Sequence, residues 1–203
     1  MAAIAPDPPS PVFDKVSKSA GCSELRRRTL DDIIELAVEI AREGREGRRI
    51  GTLFVVGDVD NTLARSRPLI LDPLAGHAPE LLHVDRPEFR ETVKELAQLD
   101  GGFLVRDDGT FVAAARYVDI DIETTFLAGL GTRHAAGLSI TRATSATAVV
   151  VSQSAVVRVF GRGGLKAEII PELFLMSRDR LYTPGAAVQR VPELGLTMAV
   201  ADD

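Results

Sequence analysis

Two stretches of the chain have an apolar pattern with the period of an α-helix. Residues 86–98 predict one of these helices, with Pro87 near its start. Residues 25–43 predict the other, and Gly44 and Gly47 are positioned to end it. Its apolar stripe consists of Leu25, Leu30, Ile33, Ile34, Leu36, Ala37, Val38, Ile40 and Ala41.

Short apolar runs between and after these helices are typical of β-strands. Residues 50–57 form a nearly continuous run of branched residues, as expected for a buried strand. Residues 58–83 predict a long loop with at most a short strand near 69–71. The other predicted strands are residues 103–105, 111–117, 148–152, 156–160 and 166–170, with a hairpin turn at 107–109. This order predicts a single α/β domain with a central mixed β-sheet flanked by helices.

Residues 129–136, Gly-Leu-Gly-Thr-Arg-His-Ala-Ala, have the composition of a tight turn that leads into a helix. The glycines allow the turn, Thr132 is a suitable N-cap, and the predicted helix runs to about residue 143. Arg133 and His134 then fall in the first turn, where unpaired N–H groups and the helix dipole favour a phosphate. The octet alone is equally compatible with an ordinary glycine turn and a capped helix with basic surface residues.

Composition narrows the class of protein. The net charge of −5 over 203 residues argues against a nucleic-acid binder, which would usually be basic. Cys22 is the one cysteine, and no Cys/His cluster has the spacing of a zinc site. The acidic, proline-rich start is unlike a signal peptide, and no apolar run approaches the length of a transmembrane helix. We therefore expect a cytoplasmic protein that binds neither nucleic acid nor membranes.

The expected domain organisation follows from the same patterns. Residues 1–22 contain four prolines and little periodicity, which predicts a flexible tail. We expect the domain to span residues 23–175 and residues 176–203 to form a C-terminal extension. His77 and His83 lie in the predicted loop without partner residues at a useful spacing, so we expect both to face solvent.

Two polar positions lie where a predicted strand meets a turn. Asp100 precedes Gly101 and Gly102, which leave room for a bulky ligand, and its carboxylate suits a divalent cation or a hydroxyl group. Asp-Gly is also a common turn dipeptide, so a plain turn is the favoured interpretation of Asp100 taken alone. Residues 152–154, Ser-Gln-Ser, end an apolar strand at a sheet edge where ligands bind, yet a hydrogen-bonded turn is again favoured.

Four segments together carry a more specific signal. They are Gly51-Thr-Leu-Phe-Val-Val-Gly-Asp58, Leu99-Asp-Gly-Gly-Phe, Gly131-Thr-Arg-His and Val149-Val-Val-Ser-Gln. In order and spacing they resemble the diadenylate cyclase (DAC) domain family, whose hallmarks are an Asp-Gly-Ala and an Arg-His-Arg motif. The resemblance covers roughly residues 28–170. It implies condensation of two ATP molecules into cyclic di-AMP, with release of two pyrophosphates and with Mg²⁺ or Mn²⁺ as cofactor.

The resemblance also implies a homo-oligomer with at least a transient face-to-face dimer, because each protomer of the family holds one ATP. Carried over, Asp100 binds the metal ion and helps to activate the 3′-hydroxyl group, and Arg133 and His134 grip the phosphates. Gly101 and Gly102 let the ribose and phosphates approach. The remaining implied nucleotide-binding residues are Gly131 and Thr132 at the phosphates, Ser152 and Gln153 near the phosphates and metal, and Tyr117, Val118 and Asp119 beside the adenine.

Three positions depart from the family's pattern. Gly102 stands where the first motif has alanine, and Ala135 replaces the last arginine of the second, which removes a positive charge. Gln153 stands where many relatives carry glutamate. A non-catalytic module that binds an adenine nucleotide or cyclic di-AMP is therefore the alternative function, and a structural role is compatible with the ordinary-turn interpretations.

Overall fold

The computed structural model describes residues 23–121, 131–171, 187–191 and 196–200. The helices are α1 (Glu24–Glu43), α2 (Val59–Ala64), α3 (Pro87–Leu96) and α4 (Thr132–Ala143), and a 3-10 turn lies at Pro79–Leu81. The strands are β1 (Thr52–Val56), β2 (Ser66–Pro68), β3 (Gly102–Val105), β4 (Phe111–Val118), β5 (Thr147–Val151), β6 (Val157–Gly161), β7 (Gly164–Ile169), β8 (Ala187–Val191) and β9 (Leu196–Val200).

The first seven strands form one sheet in the order β2-β4-β3-β1-β5-β6-β7. β1 pairs with β3 in parallel, and the other neighbouring pairs of this sheet are antiparallel. β8 and β9 pair with each other as a two-stranded antiparallel sheet. The predicted α/β class with a mixed central sheet is therefore confirmed.

β1 lies at the centre of the sheet and is buried along its whole length. Because side chains alternate along a strand, Phe54 and Val56 belong to one core and Leu53 and Val55 to the other. α1 and α3 supply apolar residues to the first core, whereas α4 supplies residues to the second. The sheet is thus the middle layer of three, and α4 covers one face of it.

A glycine lets α4 lie unusually close to the sheet. A Cβ atom on Gly137 would be 3.1 Å from Val150 Cγ2 and 3.4 Å from both Ala148 Cβ and Phe160 Cδ2. α4 is rich in small residues and its apolar positions form no clear stripe, so this close packing, rather than periodicity, holds it in place. The packing fixes where the first turn of α4 lies over the edge of the sheet.

The predicted loop between residues 58 and 83 contains more structure than its sequence indicates. α2 follows β1 after only two residues, and its six residues are too few to show a helical period. The short strand lies at Ser66–Pro68, so its prediction near 69–71 is wrong. Pro68 is tolerated because β2 is an edge strand, paired with β4 alone.

Two local predictions also need correction. Gly131, not Thr132, is the N-cap of α4, since its carbonyl oxygen already accepts from the N–H groups of His134 (3.0 Å) and Ala135 (3.3 Å). His83 is half-buried rather than solvent-facing, because its ring nitrogens contact an Asp85 carboxylate oxygen at 2.5 Å and the Asp108 carbonyl oxygen at 2.6 Å. Among the described residues, no helix combines the length and the apolar character needed to span a bilayer.

Candidate active site

A pocket of about 280 Å³ opens at the edge of the sheet where β1 and β3 begin and β4 ends. Six predicted site residues line it: Asp100, Gly101, Tyr117, Val118, Thr132 and Arg133. They come from three separate parts of the chain, which are the turn before β3, the end of β4 and the first turn of α4. The structure therefore brings the central part of the predicted site together.

Asp100 and Arg133 meet across this pocket. The closest approach is 3.4 Å, between Arg133 Nη2 and Asp100 Oδ1, and the Asp100 side chain is 93% exposed. An ion pair this long and this accessible to water contributes little to stability, so neither group is committed to its partner. The start of α4 adjoins them, and no side chain caps it. A guanidinium group and a helix N-terminus, which suit a phosphate, thus share one space with a carboxylate, which suits a metal ion or a hydroxyl group.

The absence of a side chain at Gly51 leaves the space that the Arg133 guanidinium group occupies. A Cβ atom on Gly51 would be 3.3 Å from Arg133 Nη1, 3.5 Å from Gln153 Cγ and 3.2 Å from the Val151 carbonyl oxygen. Gln153 therefore lies near Arg133, although it does not line the pocket. Within the described ranges, the buried Arg133 Nε atom has no hydrogen-bond partner. Gly51 was not singled out as a site residue, because a glycine before a strand gives no sign of what it leaves room for.

A β-bulge shapes the opposite wall. Ala115 has a φ of 51° in the middle of β4, and the pairing between β3 and β4 shifts register next to it. Gly101 has a φ of 98°, and a Cβ atom there would be 2.7 to 2.8 Å from backbone atoms of Ala115 and Arg116. The turn that carries Asp100 can therefore contact the bulge only with glycine at position 101.

Arg116 is a pocket residue that the sequence analysis missed. Its Nη2 group donates to the Ser66 carbonyl oxygen at 2.8 Å and to Ser66 Oγ at 3.1 Å, which ties β2 to β4. Next to it, the Arg67 guanidinium carbon lies 4.6 Å from the centre of the Tyr117 ring, a cation–π contact. Neighbouring side chains of a regular strand point to opposite faces, so the unrecognised bulge at Ala115 hid that Arg116 lines the pocket beside the predicted Tyr117.

Four of the predicted residues have local structural roles instead of lining the pocket. Gly102 packs on β1, since a Cβ atom there would be 2.9 Å from the Leu53 carbonyl oxygen. Gly131 caps α4. The Asp119 N–H group donates to the Arg65 carbonyl oxygen at 2.9 Å. Ser152 forms the hydrogen-bonded turn that its sequence favoured, accepting from the Val156 N–H group at 3.1 Å.

His134 faces away from the pocket. It is only 7% exposed, and its Nε2 atom lies 3.1 Å from Arg158 Nη1 on β6. Burial, followed by the charge of Arg158, lowers the pKa of His134 below its ordinary value. His134 is therefore uncharged at neutral pH, and a direct grip on phosphates is not the geometry that the side chain has here.

The donor set fits a metal ion that is bound together with substrate phosphates. Within the described ranges, no group of three or more His, Cys, Asp or Glu side chains is arranged to hold an ion. Mg²⁺ is commonly bound by one or two carboxylates together with substrate phosphates. Asp100 supplies one exposed carboxylate at the mouth of the pocket, which suits that kind of binding.

Comparisons with known proteins show which family the chain resembles. The family model DAC, described as the nucleotide-binding domain of the DisA bacterial checkpoint controller, matches residues 39–165. A diadenylate cyclase of Methanocaldococcus jannaschii is 44% identical over 157 residues, which cover 77% of this chain and 50% of that protein. A diadenylate cyclase of Haloferax volcanii is 39% identical over 145 residues, which cover 70% of this chain and 53% of that protein. The chain spans about half the length of the curated relatives it matches.

A solved structure supports the fold. A Bacillus cereus protein, described as a hypothetical membrane spanning protein, superposes with a TM-score of 0.51 at 19% identity and covers 74% of this chain and 67% of that one. The family model covers the strands and the helix that build the pocket, from β1 through β6. The chain belongs to the DAC family.

Proposed function

We propose that the protein is a diadenylate cyclase, which condenses two ATP molecules into cyclic di-AMP and releases two pyrophosphates. The observation that carries the proposal is the convergence of Asp100 and Arg133 on one pocket in a chain of the DAC family. The names of the two archaeal relatives support the same reaction.

The reaction forms one P–O bond and breaks another in each half. The 3′-oxygen of one ATP attacks the α-phosphorus of the other, the hydroxyl proton passes to water, and the bond between the α-phosphorus and the oxygen that bridges to pyrophosphate breaks. Asp100 accepts a hydrogen bond from the 3′-hydroxyl group and orients it. Arg133 and the first N–H groups of α4 bind phosphate oxygens, where negative charge builds up on the leaving group.

Asp100 would also hold a divalent ion, Mg²⁺ or Mn²⁺, together with the phosphates. Such an ion, when bound, neutralises negative charge on the phosphate oxygens. The residues beside it keep their own roles: Gly101 leaves space for the ribose, and Tyr117 and Val118 lie where an adenine ring would contact the end of β4. Gln153 Cγ and Arg133 Nη1 both lie beside Gly51, at 3.5 and 3.3 Å from the position that a Cβ atom would take there.

One pocket holds half of the reaction, so two copies must face each other. Each copy then supplies the attacking 3′-hydroxyl group for the ATP of its partner. This requirement makes the rate per protomer depend on protein concentration wherever the dimer is transient.

The test is to incubate the purified protein with ATP and either Mg²⁺ or Mn²⁺ and to separate the products by chromatography. We expect cyclic di-AMP and pyrophosphate in a ratio of one to two. The absence of product with both metals, over a range of protein concentrations that permits association, would contradict the proposal.

The alternative is a module that binds the nucleotide without turnover. Ala135 favours it, because alanine replaces the last arginine of the family's second motif and removes a positive charge. Ala135 is 8% exposed, so an arginine introduced there would have to displace its neighbours. Tight ATP binding without cyclic di-AMP formation would select this alternative.

A further inference from the structure

The back of the first turn of α4 carries a buried polar link that the proposed reaction does not use. His134 is the third residue of α4 and directly follows Thr132 and Arg133, both of which line the pocket. Its Nε2 atom lies 3.1 Å from Arg158 Nη1, and Arg158 Nε lies 2.6 Å from Glu168 Oε1. Arg158 on β6 and Glu168 on β7 are directly opposite each other in the sheet.

The proton positions in this link follow from the chemistry of its members. An arginine guanidinium group only donates hydrogen bonds, so His134 Nε2 must accept and the ring proton must be on Nδ1. The backbone N–H group of His134 donates to the carbonyl oxygen of Gly131, the N-cap of α4, at 3.0 Å. His134 also packs edge-on against the Phe160 ring, with 6.2 Å between the ring centres.

The link has little freedom to rearrange. His134 is buried, and the Arg158 side chain is 15% exposed. The charged groups that face the ring are Arg158 and, beyond it, Glu168, so a protonated ring would place two cations side by side. Uncharged His134 therefore connects the N-cap of α4 to an ion pair anchored on two strands.

We infer that His134 is a positioning residue, through which the Arg158–Glu168 pair holds the first turn of α4 and thereby the guanidinium group of Arg133 at the pocket. The inference rests on the proposed function only for its nucleotide readout. It assigns roles to Arg158 and Glu168 as well, and it differs from a direct contact between His134 and a phosphate.

Single and double variants distinguish a positioning role of His134 from a direct contact between His134 and a phosphate. We expect His134→Ala and Arg158→Ala each to weaken ATP binding by up to about tenfold, the size of one hydrogen bond of about 1.4 kcal/mol. The double variant should bind no more weakly than either single one, because both remove the same link. In an Arg133→Ala background, His134→Ala should have no further effect.

The matched control is Lys166→Ala, which removes a cation from the same β6–β7 hairpin outside the link. It should leave ATP affinity unchanged. The inference is overturned if Arg158→Ala binds ATP as the native protein does, or if His134→Ala costs as much affinity without Arg133 as with it.

A conservative variant separates positioning from simple loss of packing. His134→Gln places an amide oxygen where Nε2 accepts from Arg158, so it should restore most of the affinity that His134→Ala loses. It also does not titrate. Affinity in the native protein should fall more steeply below about pH 6.5 than in His134→Gln, because protonation of Nε2 breaks the link. Parallel pH profiles would count against the inference.

A readout without nucleotide keeps the inference separate from the proposed function. Amide hydrogen exchange in the first turn of α4 should be faster in His134→Ala and in Arg158→Ala, and near native in His134→Gln and Lys166→Ala. If the native protein binds no ATP, the proposed function fails and this exchange pattern alone decides the inference. Where His134→Ala does not fold, Arg158→Lys and His134→Gln carry the same comparison, and unchanged exchange in Arg158→Lys overturns it.

Discussion

Beyond the carboxyl ends of β1 and β3 the polar side chains are engaged with one another, whereas at the amino ends of the same strands they are left open to a ligand. At the carboxyl ends, Arg26 of α1 holds Asp107 through both carboxylate oxygens, at 2.6 and 3.2 Å. Its Nη1 group donates to the Ser145 carbonyl oxygen at 2.8 Å. Gly57 lacks a Cβ atom, which would lie 2.5 Å from Arg26 Nη2.

Asp58 completes the hydrogen-bonded group of side chains at the carboxyl ends of β1 and β3, which we call the closed end. It accepts hydrogen bonds from the Ser145 N–H group at 2.8 Å, from Ser145 Oγ at 3.2 Å and from Asn61 Nδ2 at 2.7 Å. The loops that follow β1 and β3 and the loop that precedes β5 are therefore joined by short hydrogen bonds. Such saturated groups stabilise a fold and have little capacity left for a ligand.

The pocket at the other end is built from the same residue types with opposite results. Asp100 and Arg133 are 3.4 Å apart, the carboxylate is almost fully exposed, and Arg133 Nε has no partner among the described residues. An aspartate paired with an arginine is thus a structural tie at one end and a candidate catalytic pair at the other. The distance and the exposure of the pair, rather than its composition, make the difference.

The largest expected effect is on turnover at the pocket, which lies at the amino ends of β1 and β3 and which we call the open end. Asp100→Asn should reduce cyclic di-AMP formation by roughly 10²- to 10⁴-fold, because the amide neither orients the hydroxyl group nor binds a metal ion as the carboxylate does. Its thermal unfolding should be almost unchanged, since the side chain is exposed and loosely paired. Undiminished turnover would remove Asp100 from the proposed mechanism.

At the closed end the expected effect is on stability. Arg26→Ala should lower the free energy of unfolding by about 1.5 to 3 kcal/mol, because it removes charge-assisted hydrogen bonds and leaves Asp107 without its partner. Arg28→Ala is the control, as that side chain is 72% exposed on the same helix and should change stability by less than about 0.5 kcal/mol. Urea unfolding measures both. Equal effects of the two substitutions would mean that the closed end is no more tightly joined than the surface of α1.

A smaller effect is expected where a glycine shapes the open end. Gly51→Ala brings a methyl group within 3.3 Å of Arg133 Nη1 and 3.2 Å of the Val151 carbonyl oxygen. We expect ATP affinity to fall roughly threefold to tenfold, because the guanidinium group must shift. Gly161→Ala meets only ordinary contacts at 3.6 Å and should bind ATP normally. Binding is measured by calorimetry, and a normal affinity for Gly51→Ala would mean that Arg133 has room to move.

The smallest expected effect is on the free energy of unfolding at low pH, and it comes from Asp58 at the closed end. The N–H group of Ser145, the strongest influence that favours the ionised form, lowers the pKa of Asp58 below its ordinary value. As pH falls below about 4, the unfolded chain takes up this proton before the folded one, so stability that is present at neutral pH is lost. Asp58→Asn should flatten the acid side of the curve of unfolding free energy against pH. An unchanged slope would contradict this assignment.

Much of the scaffold was predictable because it depends on local patterns. The predicted stripe of α1 is buried except for Leu25, which is 52% exposed, and Gly44, with a φ of 57°, ends the helix as predicted. The run at residues 50–57 contains β1, and the hairpin around residues 107–109 joins β3 to β4. α2 was missed, and the short strand β2 was predicted near 69–71 instead of 66–68, because elements of six and three residues are shorter than the patterns that reveal them.

The site was predictable only in part. Asp100 and Arg133 were expected to converge and do so, 33 residues apart in sequence. His134 was grouped with Arg133 because the two are adjacent, yet neighbouring residues on a helix point in directions about 100° apart. One therefore reaches the pocket and the other packs on the sheet.

The sequence by itself determined the class of fold, the helices and strands long enough to have a period, and the motifs that identify the DAC family. Only the tertiary structure decided which polar residues form hydrogen bonds between the loops and which remain available to a ligand at the pocket. The reason is physical: propensity and periodicity are properties of neighbours in the chain, whereas a bulge at Ala115 or the space above Gly51 exists only once distant strands have paired.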